Sequence, residues 1–306
     1  MIVGGVKHLV VTDPHIHLWD RQAVSYPWLD NAGVAYSGDN RLLPERFSVV
    51  DFLKDAGNVQ VRKSVHVEAN PANGLAEVRW LQSLADDPRN GGHPHGIVAY
   101  ADLSRSDVGK HLEEFAAYGN LRGIRQILNV HGESRYDYVG RHFMRESLWC
   151  DNLRRLAEFG WSFDLQIYPS QVEDAVRLID SNPDVTFILN HAGMFVDRDT
   201  PEGWRQWRDG LRDLAARGNV AVKLSGFAMF DHRWTVESLR AYVLQAIDVF
   251  GVDRCMFASN FPIDALHSDY ERLWGAYAEI VAGTAQTDRD RLFAENAIRY
   301  YRLSPQ

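Results

Sequence analysis

The stretch Asp13-Pro14-His15-Ile16-His17-Leu18-Trp19-Asp20 decides the fold. It follows an apolar run that begins at Leu9, and it carries two histidines separated by a single residue. Alternate residues of a strand point to the same face, so both imidazoles should face one way. Later apolar runs also end on polar side chains, namely His66 and Glu68, Asp102, Arg125, Gln166, His191, Lys223 and Asn260. Such groups at one end of successive strands predict an active site at the mouth of a barrel of parallel strands.

The hydrophobic pattern predicts eight strands that alternate with helices. The predicted strands are residues 9–17, 61–68, 96–102, 122–128, 162–167, 186–191, 221–224 and 254–259. Continuous apolar runs are typical of parallel strands buried on both faces. The predicted helices are residues 77–85, 152–159, 171–179, 201–216, 237–250, 270–281 and 288–301. With no linker dividing them, these units predict one α/β domain, a (β/α)8 TIM barrel over residues 1–306.

The composition is that of an ordinary soluble globular protein, with 45% hydrophobic and 24% charged residues. The net charge of -8 argues against nonspecific binding to nucleic acid or to an anionic membrane. The apolar stretch after Met1 is too short for a signal peptide or a membrane span, so we expect a cytoplasmic protein. We expect a small-molecule partner, and a homo-oligomer is compatible with such a barrel.

Two connections are too long for simple turns. Residues 19–44 follow the first strand and residues 129–145 follow the fourth, and both segments are rich in aromatic side chains. Long loops within a compact domain tend to be binding loops, and both of these leave the carboxyl end of a strand. We therefore expect them to cover the barrel mouth, with Trp28 in contact with the substrate.

His15, His17 and His191 bring three imidazoles to predicted strand ends. Three protein ligands plus a water molecule are the pattern of a catalytic zinc site. The alternative is a set of hydrogen-bonded polar residues at crowded strand ends. His93 and His95 form a second His-x-His pair, but they precede the third strand. They should therefore lie at the end of the barrel opposite the mouth, where residues contribute to stability and not to catalysis.

Six motifs together carry a family resemblance. They are Asp13 to Asp20, Val65-His66-Val67-Glu68, Gly123-Ile124-Arg125-Gln126, Leu189-Asn190-His191-Ala192-Gly193, Lys223-Leu224-Ser225-Gly226 and Met256-Phe257-Ala258-Ser259-Asn260-Phe261-Pro262. In this order they resemble the amidohydrolase superfamily (amidohydrolase 2 type), in particular its sugar-lactone and dicarboxylate-lactone hydrolases. The resemblance implies a hydrolase that opens the cyclic ester of a small polar or carboxylated lactone. It also places His15, His17 and His191 around the hydrolytic water.

Three positions depart from the family pattern. The family carries an aspartate after strand 8, as general base or metal ligand, where this chain has Asn260. A neutral amide cannot take a proton near pH 7. Arg125 and Gln166 stand where binuclear relatives have a bridging Lys or Glu and a histidine. The resemblance therefore implies either a mononuclear zinc on His15, His17 and His191 or a site without metal.

Candidate substrate-binding residues each have a structural alternative. A guanidinium such as Arg125 can hold a carboxylate or a lactone oxygen through two parallel hydrogen bonds, or it can pair with Glu68 or Asp102. Lys223 is either a cation in the site or the partner of a barrel carboxylate. The resemblance places His66 in the pocket.

Asp264 is the candidate replacement for the missing base. It lies four residues beyond Asn260, after a proline that should turn the chain across the mouth, with His267 as its rival. Alternatively, Asp264 caps the following turn or pairs with Arg272. Two other readings of the chain stay open, namely a non-oxidative decarboxylase or isomerase on the same scaffold, and a catalytically degenerate binding protein.

Overall fold

The protein is an eight-stranded parallel barrel in the computed structural model, which describes residues 9–304. The strands are β1 Val10–Ile16, β2 Gln60–Val67, β3 Gly96–Tyr100, β4 Leu121–Arg125, β5 Ser162–Leu165, β6 Phe187–Leu189, β7 Val220–Leu224 and β8 Cys255–Phe257. Each strand from β1 to β8 is hydrogen-bonded to the next along the chain. The predicted barrel is therefore confirmed for the described residues, whereas residues 1–8 and 305–306 of the predicted domain lie outside them.

The barrel closes between β1 and the segment that follows β8. The backbone N–H of His17 donates to the carbonyl of Phe261 (2.8 Å), and that of Asn260 donates to the carbonyl of His15 (2.8 Å). Ile16 and Phe261 form a parallel bridge. The last strand thus meets the first at the end of the barrel that carries the two histidines.

A buried carboxylate strengthens this closure. Asp13 Oδ1 accepts hydrogen bonds from the backbone N–H groups of His15 (3.2 Å) and Ser259 (3.1 Å), and Oδ2 accepts from the Tyr270 hydroxyl (2.9 Å). Burial raises the pKa of Asp13 to about 6, while the Ser259 hydrogen bonds act in the opposite direction. One side chain therefore connects β1, the end of β8 and the helix Tyr270–Ile280.

Helices surround the strands and confirm the predicted alternation. The α-helices of eight or more residues are Gly74–Asp86, Val108–Phe115, Ser147–Arg154, Val172–Asp180, Pro201–Ala215, Val236–Phe250 and Tyr270–Ile280. The sequence pattern missed Val108–Phe115, a short helix in which Gly109 lowers the intrinsic helix propensity. A side chain at Gly109 would collide with the Arg155 guanidinium. The sequence pattern also missed the seven-residue helix Val49–Asp55. The predicted helix 288–301 is interrupted by a π-helical turn at Arg291–Glu295.

The barrel interior is apolar at the end away from the mouth. Val65, Val98, Ile188 and Met256 pack there against Tyr301 and other residues of the carboxyl-terminal segment. None of the helices within residues 9–304 is long and apolar enough to cross a membrane.

Several strands end earlier than the apolar runs predicted. β6, for example, ends at Leu189, and His191 and Ala192 that follow have positive φ angles of 52° and 49°. Positive φ is uncommon for residues other than glycine and clusters at functional sites. His17, Gln166, His191 and Asn260 therefore lie just beyond the strands, whereas His15, Arg125 and Lys223 lie within them.

We predict that closure depends on the Asp13 carboxylate. Asp13→Ala should lower the free energy of unfolding by at least about 3 kcal/mol, because three buried donors lose their acceptor. Tyr270→Phe, which removes one of the three donors and leaves the carboxylate, should cost about 1 kcal/mol. Urea titration followed by circular dichroism measures both values, and equal losses in the two variants would contradict the assignment.

Candidate active site

A cavity of about 850 Å³, including its open mouth, lies at the carboxyl ends of the strands. Its polar lining includes side chains at or just beyond the carboxyl ends of five strands, namely His17, Arg125, Gln166, His191 and Asn260, and loop residues such as Asn40, Asn70, Arg135 and Asp137. The long loops supply the remaining walls, including Trp28, Tyr36, Tyr136 and Tyr138. A concave site with apolar walls and a few convergent polar groups is typical of small-molecule binding.

The three predicted imidazoles lie close together. The ring centre of His15 is 5.0 Å from that of His17 and 4.5 Å from that of His191. His17 and His191 line the cavity, whereas His15 is fully buried and does not. Burial lowers the pKa of all three rings well below the usual value, and nearby cations lower it further, so the rings are neutral near pH 7.

Lys223 pairs with a carboxylate inside the barrel and does not line the cavity, so its predicted contact with substrate is corrected. Its ammonium group forms a fully buried ion pair with Asp164 and lies 3.3 Å from His15 Nδ1. The Tyr301 hydroxyl also donates to both oxygens of Asp164 (2.9 and 3.0 Å). Burial lowers the pKa of Lys223 to about 8, although Asp164 opposes that shift. The pairing alternative is therefore the one that the structure supports.

These contacts do not fit the zinc site that the resemblance implies. Near pH 7 the Lys223 ammonium can only donate to His15 Nδ1, which puts the ring proton on His15 Nε2. That atom is buried and has no hydrogen-bond partner among the described residues, so a metal there would have to displace the proton. Asn260 supplies an amide where a carboxylate ligand would stand. Within residues 9–304, no three His, Cys, Asp or Glu side chains are grouped so that they could hold a metal ion. The expected triad of His15, His17 and His191 is close in space but unsuited to zinc.

Arg125 pairs with a carboxylate, as its structural alternative predicted, and it also lines the cavity, where its contact with substrate stays a prediction. Its Nε donates to Glu68 Oε1 (2.6 Å), Nη1 to Gln166 Oε1 (2.9 Å) and Nη2 to the Glu68 carbonyl (2.5 Å). Gln166 is fixed in turn by donating to Asn129 Oδ1 (3.1 Å). Burial raises the pKa of Glu68 to about 7, and the charge of Arg125 acts against that shift. The guanidinium is therefore held in one orientation at the cavity wall.

His66 faces away from the cavity, which corrects its expected place in the pocket. Its Nδ1 accepts a hydrogen bond from the backbone N–H of Leu18 (3.0 Å), and its Nε2 lies 3.6 Å from Glu77 Oε1 in the helix Gly74–Asp86. The reason is strand alternation, because Val65 and Val67 of β2 belong to the interior core. A residue between them must point toward the helices.

Asp264 lies behind Asn260 and not over the cavity. Its Oδ1 accepts from Asn260 Nδ2 (2.7 Å), and its Oδ2 accepts from the backbone N–H of Ala228 (3.4 Å). The side chain is fully buried, and burial raises its pKa to about 7. The predicted direct contact with water is therefore corrected. Arg272, its alternative partner, donates instead to the Trp234 carbonyl (2.7 Å).

The other predicted histidines also lie away from the cavity lining. The His267 ring stacks on that of His232, with centres 3.7 Å apart, and its Nε2 is 3.0 Å from the Ser37 carbonyl. His93 precedes β3, and its Nδ1 lies 2.7 Å from Ser64 Oγ. Neither histidine is placed to act on a bound molecule.

Sequence reasoning missed one central residue. Asp164 receives hydrogen bonds from Asn190 (2.9 Å), Lys223 and Tyr301, and Lys223 connects it to His15. The signal was present in Ser162-Phe163-Asp164-Leu165, where a single carboxylate interrupts an apolar strand. A charge in such a place needs a buried partner.

Comparisons with known proteins agree with this architecture. A family model described as Amidohydrolase matches residues 12–303. The chain is 42% identical over 302 residues to the uncharacterized protein y4mH of Sinorhizobium fredii, covering 97% of this chain and 100% of that protein. It is 27% identical to L-fucono-1,5-lactonase of Burkholderia multivorans, covering 95% of both.

Solved structures share the same fold. A crystal structure of an amidohydrolase from Burkholderia multivorans with bound zinc superposes with a TM-score of 0.79 at 22% identity, over 97% of this chain and 100% of that one. That likeness concerns the barrel, and the zinc is a property of that protein. Because the family model and the 42% identical relative both cover nearly the whole barrel, the chain belongs to the amidohydrolase family and is an enzyme of the amidohydrolase superfamily.

Proposed function

We propose that this enzyme is a hydrolase that opens the cyclic ester of a small carboxylated lactone by adding water. The observation that carries the proposal is the meeting of His17, Arg125, His191 and Asn260 on the polar lining of one aromatic-walled cavity. The relative named L-fucono-1,5-lactonase supports a lactone as the substrate class.

The cavity walls suit a small ring. Trp28 is fixed by a hydrogen bond from its Nε1 to the Ala69 carbonyl (2.7 Å), and Tyr36 packs against Tyr136 with ring centres 5.7 Å apart. Aromatic faces provide a large apolar contact area with defined geometry. A lactone ring can lie between these walls with its polar edge toward the strand ends.

Arg125 suits the polar edge of that substrate. An arginine has five N–H groups, and three hydrogen bonds hold this one to Glu68 and Gln166. The remaining N–H groups are available to a carboxylate or to the lactone carbonyl. Charge develops on the carbonyl oxygen when water adds, and a donor fixed in advance stabilises that charge without reorganising.

The experiment that tests this function is a screen of purified enzyme against sugar lactones and carboxylated, aromatic-derived lactones with a pH indicator. We expect acid release from carboxylated lactones, because each ring opening yields a new carboxylic acid. The same enzyme is incubated with aromatic acids while carbon dioxide is measured. Carbon dioxide release without lactone opening would replace the proposal with a decarboxylase, and tight lactone binding without turnover would indicate a binding protein.

We predict that Arg125 distinguishes anionic from neutral substrates. Arg125→Lys keeps a positive charge beside Glu68 but loses the fork of directed N–H groups. Losing a charge-assisted contact costs about 1.5–3 kcal/mol, so kcat/KM for a carboxylated lactone should fall about tenfold to 100-fold, and less for its neutral analogue. Arg135→Lys is the matched control, because Arg135 also lines the cavity but is exposed and pairs with Glu133. Equal losses on both substrates would make Arg125 purely structural.

We predict that chelators leave the activity intact. The hydrogen bonds of His15 and the amide of Asn260 do not provide a zinc donor set, so dialysis against dipicolinate should change kcat/KM by less than about twofold. Metal analysis of the dialysed protein accompanies the rate measurement. Loss of activity on chelation with recovery on adding zinc would overturn this prediction.

A further inference from the structure

We propose that His17 and Asn260 together hold the hydrolytic water, and that Asp264 is the positioning residue that turns the Asn260 amide toward this task. The inference rests on the proposed hydrolase function and assigns the group that accepts the proton of the water. It follows from the donors and acceptors along one line of polar contacts, which runs from the Val67 carbonyl through His17 and Asn260 to Asp264.

The first link fixes the tautomer of His17. Its Nδ1 lies 2.8 Å from the Val67 carbonyl, and a carbonyl oxygen can only accept a hydrogen bond. The ring proton is therefore on Nδ1. With the ring proton on Nδ1, the Nε2 atom of the neutral imidazole carries a lone pair.

The last link fixes the amide of Asn260. Its Nδ2 donates to Asp264 Oδ1 at 2.7 Å, which leaves Oδ1 facing His17 Nε2 at 3.2 Å. Asp264 is itself anchored, because its Oδ2 accepts from the Ala228 backbone N–H and its own N–H donates to the Asn260 carbonyl (3.2 Å). Asn260 has a φ of 61°, a left-handed conformation that asparagine tolerates better than most residues.

These two links leave two acceptors side by side. Neither His17 Nε2 nor Asn260 Oδ1 has a hydrogen to offer the other, and both residues line the cavity. A water molecule satisfies both atoms by donating one hydrogen to each. Its oxygen lone pairs then point away from the pair, toward a carbonyl carbon held at Arg125.

The hydrolysis needs no group beyond the water, His17, Asn260 and Asp264. The water oxygen forms a bond to the lactone carbonyl carbon, and one water proton passes to His17 Nε2. The resulting imidazolium donates to Asn260 Oδ1, whose Nδ2 is bonded to the Asp264 carboxylate, so the new positive charge is offset through one amide. The ring C–O bond then breaks, and the ring oxygen takes the proton from His17 to give the hydroxy acid.

The test removes the carboxylate from residue 264 and then places one at residue 260. At pH 8, Asp264→Asn should lower kcat about 100-fold with little change in KM, because the charge and the single amide orientation are both lost. The swap Asn260→Asp/Asp264→Asn should recover at least about tenfold of that loss, since residue 260 again accepts from the water and the new amide at 264 supports it. Glu77→Gln is the control, because Glu77 is also a fully buried carboxylate with a raised pKa (about 8) but, unlike Asp264, it has no hydrogen bond to a side chain that lines the cavity. Its kcat should be unchanged.

Two kinetic outcomes would overturn the inference. One is an Asp264→Asn enzyme with nearly wild-type kcat, and the other is a swap variant as slow as Asp264→Asn. A role for Asp264 limited to holding the Ala228 N–H predicts the first outcome, because the amide oxygen introduced by Asp264→Asn can still accept that hydrogen bond.

Histidine ¹⁵N NMR separates this inference from the proposed function. In the wild type at pH 8, with the signal assigned by its loss in His17→Gln, we expect His17 to be protonated on Nδ1 and bare on Nε2. A protonated Nε2 would overturn the inference whatever the substrate. If no lactone is opened but His17 shows the expected tautomer, the hydrolase proposal fails while the arrangement of His17, Asn260 and Asp264 is supported.

Discussion

The pairing of β1 with the segment after β8 is the contact on which the rest of the structure depends. Two backbone hydrogen bonds, from His17 to Phe261 and from Asn260 to His15, close the ring of strands. They also bring together the side chains of His17 and Asn260, which are 243 residues apart in the chain. The Asp13 carboxylate ties the same two segments to a helix of the outer layer. Closure of the barrel and assembly of the site are therefore one event.

Burial away from solvent determines which side chains of the site are charged. Two cations point into the barrel, and each has a buried carboxylate partner, Glu68 for Arg125 and Asp164 for Lys223. Breaking such a pair would leave an uncompensated buried charge, which is strongly destabilising. Burial lowers the pKa of the neighbouring imidazoles and the same cations lower it further, so the rings stay neutral and can accept hydrogen bonds. The electrostatics that stabilise the interior also keep His17 available as a base.

The replacement of the usual strand-8 aspartate by Asn260 changes how a water could be activated in this barrel. The carboxylate is not lost from the region, since Asp264 lies one hydrogen bond further from the cavity. An amide between a carboxylate and an imidazole transmits orientation, and it keeps the negative charge away from the substrate. That separation suits a carboxylated substrate, which a charge at residue 260 would repel. Function on this common fold thus depends on a few side chains at the mouth.

The sequence by itself determined the eight strands, their alternation with helices and the mouth at which polar groups gather. Those features depend on hydrophobic periodicity, which is local, and on residues such as His17, Arg125 and His191 that follow apolar runs. It also determined the family, through motifs spread along the whole chain. The alternation of Val65 and Val67 along their strand also places His66 on the opposite face, toward the helices.

Only the tertiary structure decided which polar groups are partners. Lys223 with Asp164, Arg125 with both Glu68 and Gln166, and Asn260 with Asp264 are matched across different strands or turns. The sequence offers several candidate partners for each of these groups. The choice among them depends on strand register, on backbone angles such as the positive φ of Asn260, and on the requirement that a buried charge be paired. These are properties of the closed barrel, because each pair is formed by segments that come together only when the ring of strands is complete.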